Sequence, residues 1–161
     1  MTEQNLSEQP SSNLDMQALL TSGGERLTNE LNRIVGTEIE TDRLIAVSLV
    51  QERLEGGKGS GLWVVFLKEK SYGIVGFVLI DIDLYDEKIT HMSIFIKEKY
   101  RLRGYAKEIG RALLDLARKH QIRYVETAIV ADEECLAAAR AVARDLGFRD
   151  KGDGLICTYL T

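Results

Sequence analysis

The segment Arg101-Leu102-Arg103-Gly104-Tyr105-Ala106 decides the fold of this chain. The apolar run Ser93-Ile94-Phe95-Ile96 precedes it, and an amphipathic helical pattern begins at Ala106. The sequence therefore predicts a strand, then a glycine turn that opens a helix. At such a turn several backbone N–H groups and the positive end of the helix dipole converge on one point, which favours a bound phosphate or pyrophosphate. Gly104 adopts a positive φ at little cost, and the small Ala106 keeps the first helical turn open.

The residues after this helix continue the alternation of strands and helices. A strand-like run covers residues 124–130, a second helix ends in Leu146-Gly147-Phe148, and a final strand follows. The helix that begins at Ala106 has to cross over the sheet to reach the next strand. We therefore expect runs 89–96 and 124–130 to lie parallel and adjacent, joined by a right-handed crossover.

The residues before the turn form three further β-type runs, at 62–67, 73–84 and 89–96. Short polar segments connect them, which is typical of an antiparallel meander.

The front of the chain has a helical pattern. Residues 1–12 are polar and lack an apolar period, so we expect a disordered tail there and a single domain over residues 13–161. Residues 13–20 fit a short helix, and residues 25–36 a second one capped by Gly36. A third helix is predicted from Thr41 or Asp42 to the pair Gly56-Gly57. Its core-facing positions are Leu44, Val47, Val50 and Leu54.

Composition excludes several classes of protein. The 161 residues carry a net charge of -4, which argues against general nucleic-acid binding. Cys135 and Cys157 are too few for a disulfide framework and lack the spacing of a zinc site, so we expect no metal. The N-terminus lacks the order of a signal peptide, and no apolar run approaches the ~20 residues that span a bilayer. The simplest expectation is a cytoplasmic protein with no membrane contact.

The order of strand, [Arg/Gln]-x-x-Gly-x-[Gly/Ala] and helix resembles the pyrophosphate-binding motif of the GCN5-related N-acetyltransferases, the GNAT superfamily. The resemblance covers residues 73–161. It implies an α/β (α+β) fold whose central mixed sheet is mostly antiparallel, splayed at a parallel strand pair and flanked by helices. The helical N-terminal section departs from this pattern, because the family usually opens with a strand. The first strand is therefore missing, displaced or hidden in Glu38-Ile39.

The resemblance also implies acetyl-CoA, or another short acyl-CoA, as co-substrate. The backbone of Ile94 and Ile96 occupies the positions that hold the pantetheine arm. The phosphates would meet the turn and nearby basic side chains, with Arg111 a further candidate. The predicted cofactor residues are Ile94, Ile96, Arg101, Leu102, Arg103, Gly104, Tyr105, Ala106 and Lys107.

The implied reaction is N-acetylation by direct attack of an amine on the thioester in a ternary complex, with a backbone N–H beside Ile96 stabilising the oxyanion. The acceptor is a small-molecule amine or a protein amine, and a homodimer is left open. Such attack needs a base. Glu126 is the first candidate, because burial in an apolar strand would raise its pKa, and His91 is the second. Asp81 and Asp83 are further acids on one strand face.

The second helix departs from the family at its catalytic positions. A tyrosine that often protonates the departing thiolate is Ala143 here, and a common asparagine is Leu136. Two alternatives to an enzyme therefore stay open. One is a catalytically silent acyl-CoA-binding module with a regulatory role, and the other is an interaction protein that uses its helical N-terminal half.

Overall fold

The computed structural model describes residues 26–129 and 131–160. The predicted tail at residues 1–12 and the predicted helix at residues 13–20 lie outside these ranges. Among the described residues, no helix has the length and apolar character needed to cross a bilayer.

Within the described residues the fold is a single eight-stranded mixed sheet with three helices. This confirms the mostly antiparallel sheet with flanking helices that the resemblance implied. The strands are β1 (Ile39–Glu40), β2 (Leu44–Leu54), β3 (Lys58–Leu67), β4 (Lys70–Asp83), β5 (Lys88–Ile96), β6 (Tyr124–Ala128), β7 (Arg149–Gly152) and β8 (Leu155–Tyr159). They lie in the order β1-β2-β3-β4-β5-β6-β8-β7. The helices are α1 (residues 26–35), α2 (Tyr105–Lys119) and α3 (Glu133–Asp145). Helix α1 and the meander from β3 to β5 confirm the sequence predictions for those regions.

The third predicted helix is wrong, because Leu44–Leu54 forms the long strand β2. A β-bulge between Ser48 and Val50 explains the error. The bulge inserts one residue, so Val47 and Val50 lie on the same face of the sheet although they are three positions apart. Three-residue spacing of apolar side chains is also what a helix shows. Of the three alternatives for the first strand, the hidden one is the nearest to the structure, since β1 is the two-residue strand Ile39–Glu40.

One face of the sheet, here called the covered face, packs against α1 and α2. On β3, a Cβ at Gly59 would lie 3.2 Å from Leu31 of α1. Gly110 of α2 lies equally close to Ile94 of β5, since a Cβ there would be 3.2 Å from its side chain. Trp63 fills the centre of this layer with no exposed surface, and its indole N–H donates to the carbonyl of Thr37 at 2.8 Å. The apolar core is therefore built on this face.

The opposite face, here called the open face, keeps large apolar side chains in contact with water. Val50, Leu54 and Phe95 are 52%, 58% and 51% exposed. Phe77 and Phe95 pair across β4 and β5 with ring centroids 6.5 Å apart. Large exposed apolar patches on a protein surface often mark an interaction site.

The predicted parallel pair is confirmed, and it is short. Strand β5 pairs with β6 only at Lys88↔Tyr124 and Ile89↔Val125. Beyond these pairs the Thr127 hydroxyl replaces the backbone ladder. It accepts from the Met92 N–H at 3.1 Å and donates to the Met92 carbonyl at 2.9 Å. The two strands therefore separate toward their C-terminal ends.

At Gly76 on β4 the neighbouring strand comes too close for a side chain. A Cβ there would collide with the backbone carbonyl oxygen of Phe95 on the neighbouring strand. Gly76→Ala should therefore destabilise the protein by about 1–3 kcal/mol, because backbone cannot move aside as a side chain can. The melting temperature should fall by about 2–4 °C for each kcal/mol.

Gly73→Ala on the same strand is the matched control. Its nearest neighbour would be the Lys70 carbonyl at 3.3 Å, so a small shift relieves the contact. Equal melting temperatures for the two variants would contradict the close approach of β4 and β5 at Gly76.

Candidate functional site

The turn between β5 and α2 has a strained backbone. A short 3₁₀ segment, Glu98–Tyr100, follows β5, and then Leu102 and Gly104 both have positive φ, of 63° and 83°. This conformation is costly for leucine, and the Leu102 side chain is 94% exposed, so no packing compensates for it in the free protein. Strain of this kind is concentrated at binding sites.

The backbone N–H groups at the start of α2 point out of the turn. The first helical bond runs from the Glu108 N–H to the Gly104 carbonyl, at 3.0 Å, and no side chain caps the helix. Within the described residues, Tyr105, Ala106 and Lys107 therefore lack helical acceptors for their N–H groups. Together with the helix dipole they form a cradle for an anion.

The predicted basic side chains are divided between this cradle and other contacts. Arg101 turns away, donating to the Ile96 carbonyl at 2.9 Å and contacting Cys135 Sγ at 3.4 Å. Lys107 pairs with Asp145 on α3 at 3.4 Å. An open groove of about 460 Å³ extends from Gly104. Its charged lining comprises Lys107 and Arg111 together with Glu40, Asp42, Glu108 and Asp115.

Arg43 is a basic residue at the turn that sequence reasoning missed. Its Nη2 lies 3.4 Å from the place that a Cβ on Gly104 would occupy, and its guanidinium stacks on the Tyr105 ring at 4.5 Å. Glu108 holds it there, accepting from Arg43 Nε at 2.7 Å and from its backbone N–H at 3.0 Å. No motif marks this arginine, which lies far from the turn in sequence and was assigned to a helix.

The same carboxylate ties the front of the chain to α2. Thr41 Oγ1 donates to Glu108 Oε2 at 2.5 Å. Burial alone would raise the pKa of Glu108, but the hydrogen bonds from Thr41 and Arg43 outweigh it and hold the pKa below its ordinary value. Glu108 is therefore a charged anchor for the β1–β2 turn.

The separation of β5 from β6 leaves backbone groups of β5 without a strand partner. Met92 directs its N–H and C=O toward β6, where Thr127 meets them. Because these directions alternate along a strand, Ile94 and Ile96 direct theirs the same way, into the gap that β6 has left. The Ile96 carbonyl accepts from Arg101, and the remaining groups stand at an open edge.

His91 and Glu126 lie on the open face, on the two strands that separate. Asp81 pairs with His91, while its neighbours Ile80 and Ile82 belong to the covered face. Glu126 follows Val125, which is fully buried on that covered face. The fold therefore brings the two predicted bases to the same side of the gap.

The electrostatic environment of Glu126 is the reverse of the predicted one. The hydrogen bond from Lys151 lowers its pKa below the ordinary value, and the charge of Lys88, 3.7 Å away, acts in the same direction. The pKa of Lys151 is raised in return. The prediction that burial raises the pKa of Glu126 is therefore wrong, because the ion pairs outweigh desolvation.

The other acidic candidates, Asp81 and Asp83, have structural contacts. Asp83 is buried and accepts the backbone N–H groups of Tyr85 and Asp86 in the β4–β5 turn. Asp81 accepts from Ser60 Oγ at 2.5 Å. Both cysteines are free thiols, and the part of the chain that the structure describes contains no cluster of His, Cys, Asp or Glu fit to hold a metal.

Ala143, the position of the expected proton donor, is partly buried against the apolar core. Its carbonyl accepts the N–H groups of Leu146 and Phe148, at 3.2 and 3.0 Å, where α3 ends. This position therefore packs the end of α3 and offers no proton donor.

The sequence matches the model of the acetyltransferase (GNAT) family over residues 26–148. Human N-acetyltransferase 8 is 27% identical over 103 residues, which are 63% of this chain and 44% of that protein. The match thus spans less than half the length of the human relative.

Two solved structures share the fold. A putative ribosomal-protein-serine acetyltransferase from Vibrio cholerae aligns with a TM-score of 0.58 and 15% identity, over 78% of this chain and 98% of that one. The spermidine N-acetyltransferase from the same organism, solved with CoA and spermine, aligns with a TM-score of 0.53 and 14% identity, over 63% and 66% of the two chains.

The ion pair of Glu126 with Lys151 predicts a measurable titration shift. In Lys151→Met the main hydrogen bond to the carboxylate is lost, so the pKa of Glu126 should rise toward its ordinary value of 4.5. Carbon-detected NMR titration of the side-chain carboxyl measures the midpoint. Lys70→Met, at the start of β4, is the control and should leave the midpoint unchanged. An unchanged midpoint in Lys151→Met would contradict the ion pair.

Proposed function

The chain belongs to the acetyltransferase (GNAT) family, and from this membership we propose that it transfers an acetyl or other short acyl group from acyl-CoA to an amine. The observation that carries the proposal is the continuity of two open backbone sites. The anion cradle at Gly104 lies at the end of the same strand whose free edge contains Ile94 and Ile96.

The residues present fit acyl-CoA. Gly104 leaves open the space that a Cβ would fill beside Arg43, so a phosphate group has access to the N–H groups of α2. Arg43, Lys107 and Arg111 lie around that point, the first two in ion pairs with Glu108 and Asp145. The free edge of β5 offers the hydrogen bonds that an amide-containing arm would use as an added strand. When bound, acyl-CoA supplies the activated thioester.

The chain's own residues would support attack by the amine on the open face. His91 and Glu126 are the proposed bases that take the proton from the nitrogen. His91 is favoured, because Lys151 and Lys88 lower the pKa of Glu126 and so make its carboxylate a weaker base. The N–H groups of Ile94 and Ile96, directed into the gap, would stabilise the oxyanion.

A catalytically silent acyl-CoA-binding module is the second candidate function. The core contact of Ala143 favours it, since the position of the expected proton donor serves packing. Steady-state turnover with a panel of amines separates the two, because only the enzyme releases free CoA thiol in proportion to amine.

The cradle at Gly104 is tested by Gly104→Val. A branched side chain at φ +83° both strains the turn and meets Arg43, so CoA affinity should fall by about 1–3 kcal/mol, or about 5- to 150-fold. Titration calorimetry measures the affinity. Gly154→Val, at φ +77° with nothing within 4 Å, is the matched control and should bind CoA as the wild type does. Equal affinities for all three proteins would remove the phosphate site from the proposal.

The base is tested by the pH dependence of kcat/KM. A base works when deprotonated, so the rate falls as pH falls through its pKa. His91→Gln should lower kcat/KM by about 100-fold or more and abolish the acid limb of the profile. In Glu126→Gln that limb should persist, because the lowered pKa places any Glu126 limb below pH 4.5. Loss of the limb in Glu126→Gln, with His91→Gln unaffected, would reverse the assignment.

A further inference from the structure

The open face has an ordered chemical pattern in the register of its strands. One row across the sheet is polar and consists of Glu52, Ser60, Asp81 and His91. The next row toward the phosphate turn consists of Val50, Leu62, Leu79 and Ser93, and the one after it of Val47, Val64, Phe77 and Phe95. An acidic row ending in a proposed base is thus followed by two largely apolar rows.

We propose that this face binds the acceptor, and that the acceptor is a small cationic amine attached to an apolar alkyl or aryl group. The inference rests on the proposed acyl transfer and names its substrate class. The carboxylate of Asp81, which pairs directly with His91, attracts the ammonium group to that end of the row. The apolar group then lies along β4, over Leu79 and Phe77.

The dimensions of the patch limit the size of the occupant. Neighbouring rows on one face are about 7 Å apart, since strands rise 3.2–3.4 Å per residue and alternate faces. Two rows therefore accept an apolar group that extends roughly 7 to 13 Å from the amine. A hexyl chain or a phenylethyl group falls near the lower limit.

The position of the patch relative to the gap also favours an acceptor. His91 comes directly before Met92, the residue at which Thr127 bridges the separating strands. The acidic row is therefore level with the opening between β5 and β6, and the apolar rows lie beside the free edge of β5. An amine held at His91 therefore lies beside the gap.

Acetylation rates with a series of amines test the proposal. Ethanolamine, n-butylamine, n-hexylamine, 2-phenylethylamine and spermidine serve as acceptors for the full chain with acetyl-CoA. We expect kcat/KM to rise about two- to fourfold per added methylene from butyl to hexyl, near the transfer value of ~0.8 kcal/mol per CH₂. Ethanolamine and spermidine should be poorer than n-hexylamine by at least tenfold.

Three variants locate the effect on the open face. Phe77→Ser should flatten the dependence on chain length while the KM for acetyl-CoA stays unchanged. Asp81→Asn should raise the KM of every amine. Tyr85→Ser removes an aromatic ring that is 64% exposed in the β4–β5 turn, outside the patch, and should change neither value. Leu79→Ala, in the row between Asp81 and Phe77, repeats the test should Phe77→Ser fail to fold, as judged by thermal melting.

The outcomes separate this inference from the proposed function. Acetylation of amines without dependence on the apolar group, or equal effects of Phe77→Ser and Tyr85→Ser, would overturn the inference and leave acyl transfer in place. Failure of every amine to be acetylated would overturn the proposed function itself. A stable dimer that Val50→Lys dissociates would also overturn the inference, because the face would then be covered by a second copy.

Discussion

The early separation of β5 from β6 is the constraint on which the rest of the molecule depends. Two strands joined by a crossover helix normally continue their ladder, yet this pair ends after Ile89↔Val125. The Thr127 hydroxyl satisfies Met92 at the point of separation, so one side-chain bridge replaces the next ladder bonds. An unpaired buried N–H or C=O would be costly, so the groups beyond this bridge need water or a ligand.

The phosphate turn depends on a second contact, between the front of the chain and α2. Glu108 sits one helical turn inside α2 and binds both Thr41 and Arg43. This fixes the β1–β2 turn against the helix and places a guanidinium beside Gly104. A carboxylate near a helix N-terminus also complements the dipole, so the anchor adds stability where the cradle leaves N–H groups free.

The sequence predicted those parts of the fold that local pattern and chain connectivity determine. The turn at Gly104, the meander and the parallel pair each follow from a run of residues and the length of its connection. Strand β2 was missed because a bulge near Leu49 gives its apolar residues a three-residue spacing. The lowered pKa of Glu126 comes from Lys151 on β7, and the charge beside Gly104 comes from Arg43. Both contacts join distant segments, so no local pattern contains them.

A second bulge determines which side chains the open face presents. On β5, Ile89 pairs with Ile82 and His91 pairs with Asp81, so Thr90 is an extra residue. If the same residues paired regularly, without this bulge, His91 would stand opposite Ile80 on the covered face, because a one-residue shift moves every later side chain to the other side. Phe95 would move with it into the core layer. The bulge therefore places both His91 and Phe95 on the open face. It lies at the level where β6 separates from β5. The apolar core that stabilises the protein therefore lies on one face of these strands. The rows proposed to bind the acceptor lie on the other face, where the bulge at Thr90 directs His91 and Phe95.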